Sequence, residues 1–251
     1  MPAGATHRDE TAGATQRVHR PSRSDTLAIQ AFSTLPRADI DLIASLSTLR
    51  LARRGETIST QRSAADPVCF VISGRFQLSL CRHFRKQVLL RIVGPGEHFG
   101  ELHALTGLSF DLIARAETEA RYIQMASEDF VRLLRELPGL SLRLLTKTAC
   151  QSLAQIERIF ELSTLHLRDR VRAEILRLAT GMASNGAPLV ISPAPTHEMF
   201  ASIVGGTREG VTRELRALTR EGVIAVARRQ ITITDVDRLR ASLETHGSPA
   251  A

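Results

Sequence analysis

Toward the C-terminal end, arginines and a glutamate recur at a spacing that suits the reading of nucleic-acid bases: Arg208, Glu209, Arg213, Arg216 and Arg220. Placed at 100° per residue, Val211, Leu215 and Leu218 gather on one side of a helix, and Glu209, Arg213, Arg216 and Arg220 on the other. Arg208 and Thr212 flank the polar side near the helix start. A guanidinium forks onto O6 and N7 of guanine, and a carboxylate accepts from the N4 amine of cytosine. Arg208, Glu209 and Arg213 therefore form a candidate base-reading set, while Arg216 and Arg220, farther along, suit phosphates. A solvated surface helix also carries charge, so the neighbouring elements must decide.

Those neighbours fit a helix-turn-helix. Thr196 stands where it would cap a preceding helix with Met199, Phe200, Ile203 and Val204 on its apolar side, and Ala201 is small enough for two helices to approach. Gly205-Gly206 allows a sharp turn, and Thr207 caps the second helix. Upstream, a helix with Val171, Ile175, Leu176 and Leu178 runs to Gly181, and a loop with Asn185-Gly186 and Pro188 leads to a short strand, Leu189-Val190-Ile191. Downstream, Val223 to Ala227 and Ile231 to Thr234 read as a hairpin wing turning at Arg228-Arg229-Gln230, whose basic tip would meet the DNA backbone.

The whole composition is compatible with a polyanionic partner, and double-stranded DNA is the candidate. The 251 residues carry a formal charge of +7, with 43% hydrophobic content, enough for two domains with their own cores. Nearly all basic charge is arginine, Lys86 and Lys147 being the lysines, which a GC-rich genome explains as readily as bidentate contacts do. Cys69, Cys81 and Cys150 lie far apart without a CxxC pair, so neither a disulfide framework nor a metal site is indicated, and a reducing cytoplasm fits. No run of 18 apolar residues exists, which predicts no membrane association. The polar stretch from Met1 to Asp25 reads as a disordered arm rather than a signal peptide. No Ser/His/Asp arrangement, nucleotide-hydrolysing loop or paired carboxylates point to catalysis, so no catalytic residues are assigned and an enzyme is not expected.

The middle of the chain changes character twice. From Leu49 to about Met125 it is rich in short β segments punctuated by glycine; Val68, Phe70 and Ile72 alternate before Gly74, and Phe76, Leu78 and Leu80 after it, which predicts a tight hairpin in an antiparallel roll. A short helix begins at Ser127, with Phe130, Val131, Leu133 and Leu134, and ends near Pro138-Gly139. A long one follows from Leu140 to His166 without proline or glycine. Ala149, Leu153, Ile156, Phe160, Ser163 and Leu167 form a coiled-coil seam for dimerisation; a competing register runs through Leu142, Leu145, Ala149, Ser152, Ile156 and Ile159, and packing on the chain's own roll is the alternative. The expected division is an arm (1–25), a sensory roll (26–137), a dimerisation helix (138–167), a winged helix-turn-helix (168–240) and a flexible tail (241–251), an α+β chain.

The run Ile203-Val204-Gly205-Gly206-Thr207-Arg208-Glu209-Gly210-Val211-Thr212-Arg213 matches the pattern I-V-G-x-[ST]-R-E-x-V-x-R, by which the chain resembles the CRP/FNR family of transcription regulators from about Thr26 to Asp237. Gly55-Glu56, Ser73-Gly74 and Pro95-Gly96-Glu97-His98-Phe99-Gly100-Glu101-Leu102 extend the likeness into the roll. The resemblance implies a cyclic-nucleotide-binding-type β-roll, a long dimerisation helix and a C-terminal winged helix-turn-helix. It also implies a homodimer on a palindromic TGTGA-like operator with half-sites about 34 Å apart, and RNA polymerase as a partner. In family members that bind cyclic AMP, amides after a Gly-Glu-Leu segment and a later Arg-Ser pair hold the phosphate. Phe99, Gly100, Glu101 and Leu102 supply the first part here, but Ser109-Phe110-Asp111-Leu112 stands where the Arg-Ser pair belongs. Asp111 would repel a phosphodiester, and losing the charge-assisted contact costs about 2 kcal/mol or more.

The implied pocket, completed by Gln155 and Ile156 from the long helix, is therefore expected to take an effector other than ordinary cyclic AMP, or none, and no cofactor is assigned beyond an unidentified small molecule. With no cysteine before Cys69, the iron-sulfur version of the family is not expected; a haem version would draw on Cys81, His83, His98 or His103. A nitrogen-rich signal, cyclic di-GMP and control by abundance stay open. The alternative function is a cyclic-nucleotide-binding regulatory protein acting on DNA as a ligand-dependent activator, or on a protein partner.

Overall fold

The computed structural model describes residues 19–59, 66–82, 86–108, 111–180 and 189–244, in two compact units that meet in sequence at Leu144 and Leu145. The segments expected to be the bulk of the N-terminal arm and the end of the tail, the loop with Asn185-Gly186 and Pro188, and Ser109, Phe110 and His83 lie outside the described residues.

The first unit contains α1 (Arg23–Leu27), α2 (Arg37–Ser45), β1 (Ser47–Ala52), β2 (Thr57–Ser59), β3 (Val68–Ser73), β4 (Phe76–Arg82), β5 (Lys86–Val93), β6 (His98–Phe99), α3 (Glu101–Thr106), β7 (Leu112–Ala116), β8 (Ala120–Met125) and α4 (Ser127–Glu136), with the start of α5 (Pro138–Thr164). Its strands form two antiparallel sheets, ordered β1-β8-β3-β6 and β2-β7-β4-β5. The interior of the roll is filled from both: Cys69, Val71, Phe99 and Tyr122 from the first sheet meet Phe76, Leu78, Val93 and Ala114 from the second. Phe76 anchors this cluster, its ring 5.5 Å from those of Phe99 and Tyr122. A second core covers the other side of the first sheet, where Phe70 and Ile123 pack against Ile29 and Phe32 of the turns after α1 and against Ile40, Phe130, Leu133 and Leu140 of the surrounding helices. Each such side chain contributes about 1.5–3 kcal/mol by leaving water.

Two expectations are corrected here. The strands flanking Gly74 are not a hairpin: β3 pairs with β6 and β8, and β4 with β5 and β7, so the chain crosses from one sheet to the other at this glycine. Gly74 adopts φ +81°, and a Cβ there would lie 2.2 Å from the Glu119 carbonyl oxygen, which fixes glycine at the corner. Alternation of residue types reports burial, not partner, and Val68 to Val71 are in fact buried on both faces. The described residues before Thr26 are also structured. His19 pairs with Leu49, Ser22 and Asp25 form a capping box at the start of α1, and Arg121 reaches Asp25 at 2.8 Å, so local hydrogen bonds organise the last residues assigned to the arm.

The second unit holds the rest of α5, then α6 (Leu167–Thr180), β9 (Leu189–Ile191), α7 (His197–Val204), α8 (Arg208–Arg220), β10 (Ile224–Ala227), β11 (Gln230–Ile233) and α9 (Val236–Glu244). Its core gathers Val171, Ile175, Phe200, Val204, Val211, Leu215, Leu218 and Ile231 beneath a small sheet ordered β10-β11-β9. Along α5 the residues of both proposed seams are solvent-facing: Leu145, Leu153, Ile156, Ile159 and Phe160 are each 61 to 66% exposed, and Ala149 is exposed too. Leu167 leaves the seam, because it opens α6 and packs against the core of this unit.

Candidate nucleic-acid interface

The turn between α7 and α8 is built by contacts that the glycines make possible. Thr196 caps α7 by accepting from Met199 N at 3.2 Å, and Gly205 ends that helix in the left-handed region at φ 60°. Gly206 N donates to Ala201 O at 2.9 Å, with Ala201 buried as the approach of two helices requires. Thr207 then caps α8, accepting from Gly210 N at 3.1 Å. Gly206 and Gly210 both face Leu167, whose side-chain carbons would lie 2.4 and 2.5 Å from an added Cβ. Spacing alone marks Gly205-Gly206 as a turn; that Gly210 serves close packing became visible only with Leu167 in place. Arg170 adds a clamp, donating to Gly205 O at 3.2 Å and to Leu162 O and Leu165 O at 3.3 and 3.2 Å.

On α8 the two faces separate as the sequence predicts. Val211, Leu215 and Leu218 are buried, whereas Arg208, Glu209, Arg213, Arg216 and Arg220 are exposed. On the helix flank, Glu214 pairs with Arg172 at 3.0 Å, and Glu221 just beyond the helix lies 3.8 Å from the same arginine. Among the described residues no acidic group pairs with Arg208, Arg213, Arg216 or Arg220. Glu209 sits in the first turn, where the positive end of the helix dipole favours a carboxylate.

The wing is a two-residue hairpin, Ala227 pairing with Gln230 across Arg228 and Arg229, both exposed. Arg229 has φ 56°, a left-handed backbone that disfavours a side chain, and its carbonyl accepts from Ala194 N at 2.8 Å. Charge is thus kept at the tip although glycine would fit the backbone better. Thr212 is half-buried and bonded to His197, a residue that no local pattern singles out, since fifteen positions separate the pair.

In the roll, Phe99 and Glu101 are buried, Gly100 is left-handed at φ 98°, and Leu102 is exposed. Arg91 donates to His98 O at 2.7 Å and lies 3.8 Å from Glu101, so a basic group of the chain itself attends this carboxylate. Asp111 is exposed just before β7, which Leu112 opens half-buried. Gln155 and Ile156 are exposed on the part of α5 that belongs to the second unit. A cleft of about 500 Å³ opens elsewhere in the first unit, lined by His103, Ala104 and Gly107 on the α3 side and by Ser127, Val131 and Arg135 on the α4 side. Among the described residues no three His, Cys, Asp or Glu side chains converge as metal ligands would, and burial, with Asp66 nearby, pushes the Cys69 thiol well above its ordinary pKa. Within the same residues, no helix is long and apolar enough to cross a membrane.

Comparison with known proteins covers both units. The Crp-like helix-turn-helix domain matches residues 169–242 and the cyclic nucleotide-binding domain residues 49–136. The transcriptional regulator SdrP of Thermus thermophilus is 31% identical over 179 residues, 70% of this chain and 84% of that protein. A CRP-like cAMP-activated global transcriptional regulator of Mycobacterium tuberculosis is 26% identical over 187 residues, 74% of this chain and 84% of its own length. The crystal structure of a CRP/FNR-family transcriptional regulator from Thermus thermophilus superposes with a TM-score of 0.61 at 27% identity, covering 79% of this chain and 100% of that one.

Proposed function

The chain is a transcription regulator of the CRP/FNR family, and from that premise we propose that it binds DNA as a homodimer, each copy laying α8 in the major groove of one half of a palindromic TGTGA-like operator. The observation that carries this reading is the outer face of α8, where four exposed arginines stand without an acidic partner among the described residues. Arg208, Glu209 and Arg213 read base edges. Arg216 and Arg220, the wing arginines Arg228 and Arg229, and the cap threonines Thr196 and Thr207 hold phosphates. The apolar stripe of α5 through Ala149, Leu153, Ile156 and Phe160 supports pairing with a second copy, since an unpaired stripe of this size is costly to leave in water.

The protein works in the cytoplasm, where its DNA is, and meets RNA polymerase there. Its effector is not ordinary cyclic AMP: by the family resemblance Asp111 falls where a phosphodiester would need a cation, and Glu101 already has Arg91 beside it. Whatever occupies the roll, or the resting equilibrium of the empty protein, sets whether both copies of α8 engage together. The test is selection of duplexes from a randomised pool by the full-length protein. Recovery of a two-fold symmetric site is expected; equal retention of all sequences would overturn the proposal. Calorimetry with cyclic AMP checks the effector, and binding at micromolar concentration would overturn that part alone.

A further inference from the structure

Thr212 stands on the polar side of α8, one residue before Arg213, yet its hydroxyl is engaged within the chain. Oγ1 donates its one proton to Arg208 O, a turn back, at 2.8 Å. With that proton committed, Oγ1 accepts from Nδ1–H of His197, the first residue of α7, again at 2.8 Å. Threonine is stiff about χ1, so fixing Oγ1 also fixes Cγ2. The side chain remains half-exposed, and the group not tied down is the methyl.

We propose that His197 is a positioning residue that holds the Thr212 hydroxyl in place, so that the Thr212 methyl meets the base edges and reads the C5 methyl of a thymine. Thymine is distinguished in the major groove by that methyl, and apolar contact with a threonine methyl is a recognised way to read it. The residue next to the arginine set thereby supplies an apolar element of specificity, and α7 takes part in recognition through α8 without touching a base. The inference rests on the proposed entry of α8 into the major groove, and its test separates the two.

The duplex recovered by the wild-type protein is resynthesised with each thymine in turn replaced by deoxyuridine, which removes only the C5 methyl. For the full-length wild-type protein, one position in each half-site loses about fourfold in affinity, the equivalent of one buried methyl group. Thr212→Ser keeps both hydrogen bonds but lacks the methyl, so it binds the thymine and uracil duplexes equally at that position. His197→Ala lowers the thymine-to-uracil ratio, and His197→Asn, whose amide can donate from the same place, restores it. That ratio is insensitive to a general weakening of α7, which lowers both affinities together. If a site is recovered but no uracil substitution distinguishes wild type from Thr212→Ser, or His197→Ala leaves the thymine-to-uracil ratio unchanged, the inference is overturned and DNA reading stands. If no sequence is recovered, both fall.

Discussion

The two units of this chain differ in where arginine is left uncompensated. In the roll, guanidinium groups are drawn onto the chain's own acceptors: Arg75 onto Glu117 at 3.0 Å, Arg121 onto Asp25 at 2.8 Å, Arg23 onto Asp41 at 2.7 Å, and Arg115 onto Gly55 O at 2.9 Å. In the winged domain the flank of α8 behaves likewise through Arg172 and Glu214, and Arg158 and Arg177 close on the nearly buried Glu174, whose carboxyl burial holds above its usual range. The outer face of α8 does not. Scattered arginines such as Arg53 and Arg54 also lack an ion pair in the roll, but nowhere else in the described residues do four stand on one side of one helix. Positive charge concentrated without internal compensation costs self-repulsion, and an external polyanion removes that cost. The location of unneutralised charge, more than the net +7, is what distinguishes a binding surface from a basic composition.

The contrast breaks most severely if the two copies are separated. Phe160→Asp places a carboxylate in the expected seam; at about 3 kcal/mol or more for a buried uncompensated charge, the dimer should dissociate in sedimentation and operator affinity should collapse, with the roll's melting unchanged. A stable dimer would move the interface elsewhere. Next in size, Arg208→Ala or Arg213→Ala should each cost about 1–3 kcal/mol on the selected operator and relax preference at one base pair, while random DNA is bound nearly as before. Equal losses on both kinds of DNA would reduce these side chains to phosphate contacts.

Smaller effects sharpen the contrast. Arg229→Ala should weaken binding to every sequence alike and flatten the salt dependence by about one unit of slope. Arg229→Gly should do the same without lowering the melting temperature, since the left-handed backbone no longer opposes a side chain. Asp25 tests the roll's side. Burial pushes its carboxyl up, but hydrogen bonds from Ser22 and the Arg121 guanidinium outweigh this and hold it below the usual value. A lowered folded-state pKa gives stability that is present above the unfolded value and lost as pH falls through the folded one. Asp25→Asn should therefore cost about 1 kcal/mol near neutrality, with the difference closing as pH falls below the ordinary carboxylate range and no change in DNA binding. A change in operator affinity would show that internal pairing in the roll is not separable from recognition.

How much could be read beforehand follows from the range of the interactions. The two faces of α8, its cap at Thr207 and the wing turn at Arg228-Arg229 depend on residues within a few positions, and the periodicity of Val211, Leu215 and Leu218 locates them. Pairing of β3 with β6 and β8 depends on strands as much as 57 residues away, as between Val68 and Met125, which no local pattern around Gly74 encodes. The bond between His197 and Thr212 and the seating of Leu167 on Gly210 are of the same kind, since both need the helices already packed. Capping at Ser22 and Asp25 was local and legible, but the polar composition before Thr26 masked it.

Because β3 is covered on both sides, Val71 fills the interior while its neighbour Phe70 packs under the helices. Anyone refitting the roll to a new occupant would find no soft wall along this strand. Enlarging the space beside Val71 moves the backbone that seats Phe70 against Phe32, 4.8 Å away, and Phe130, so remodelling has to proceed as paired changes across the sheet.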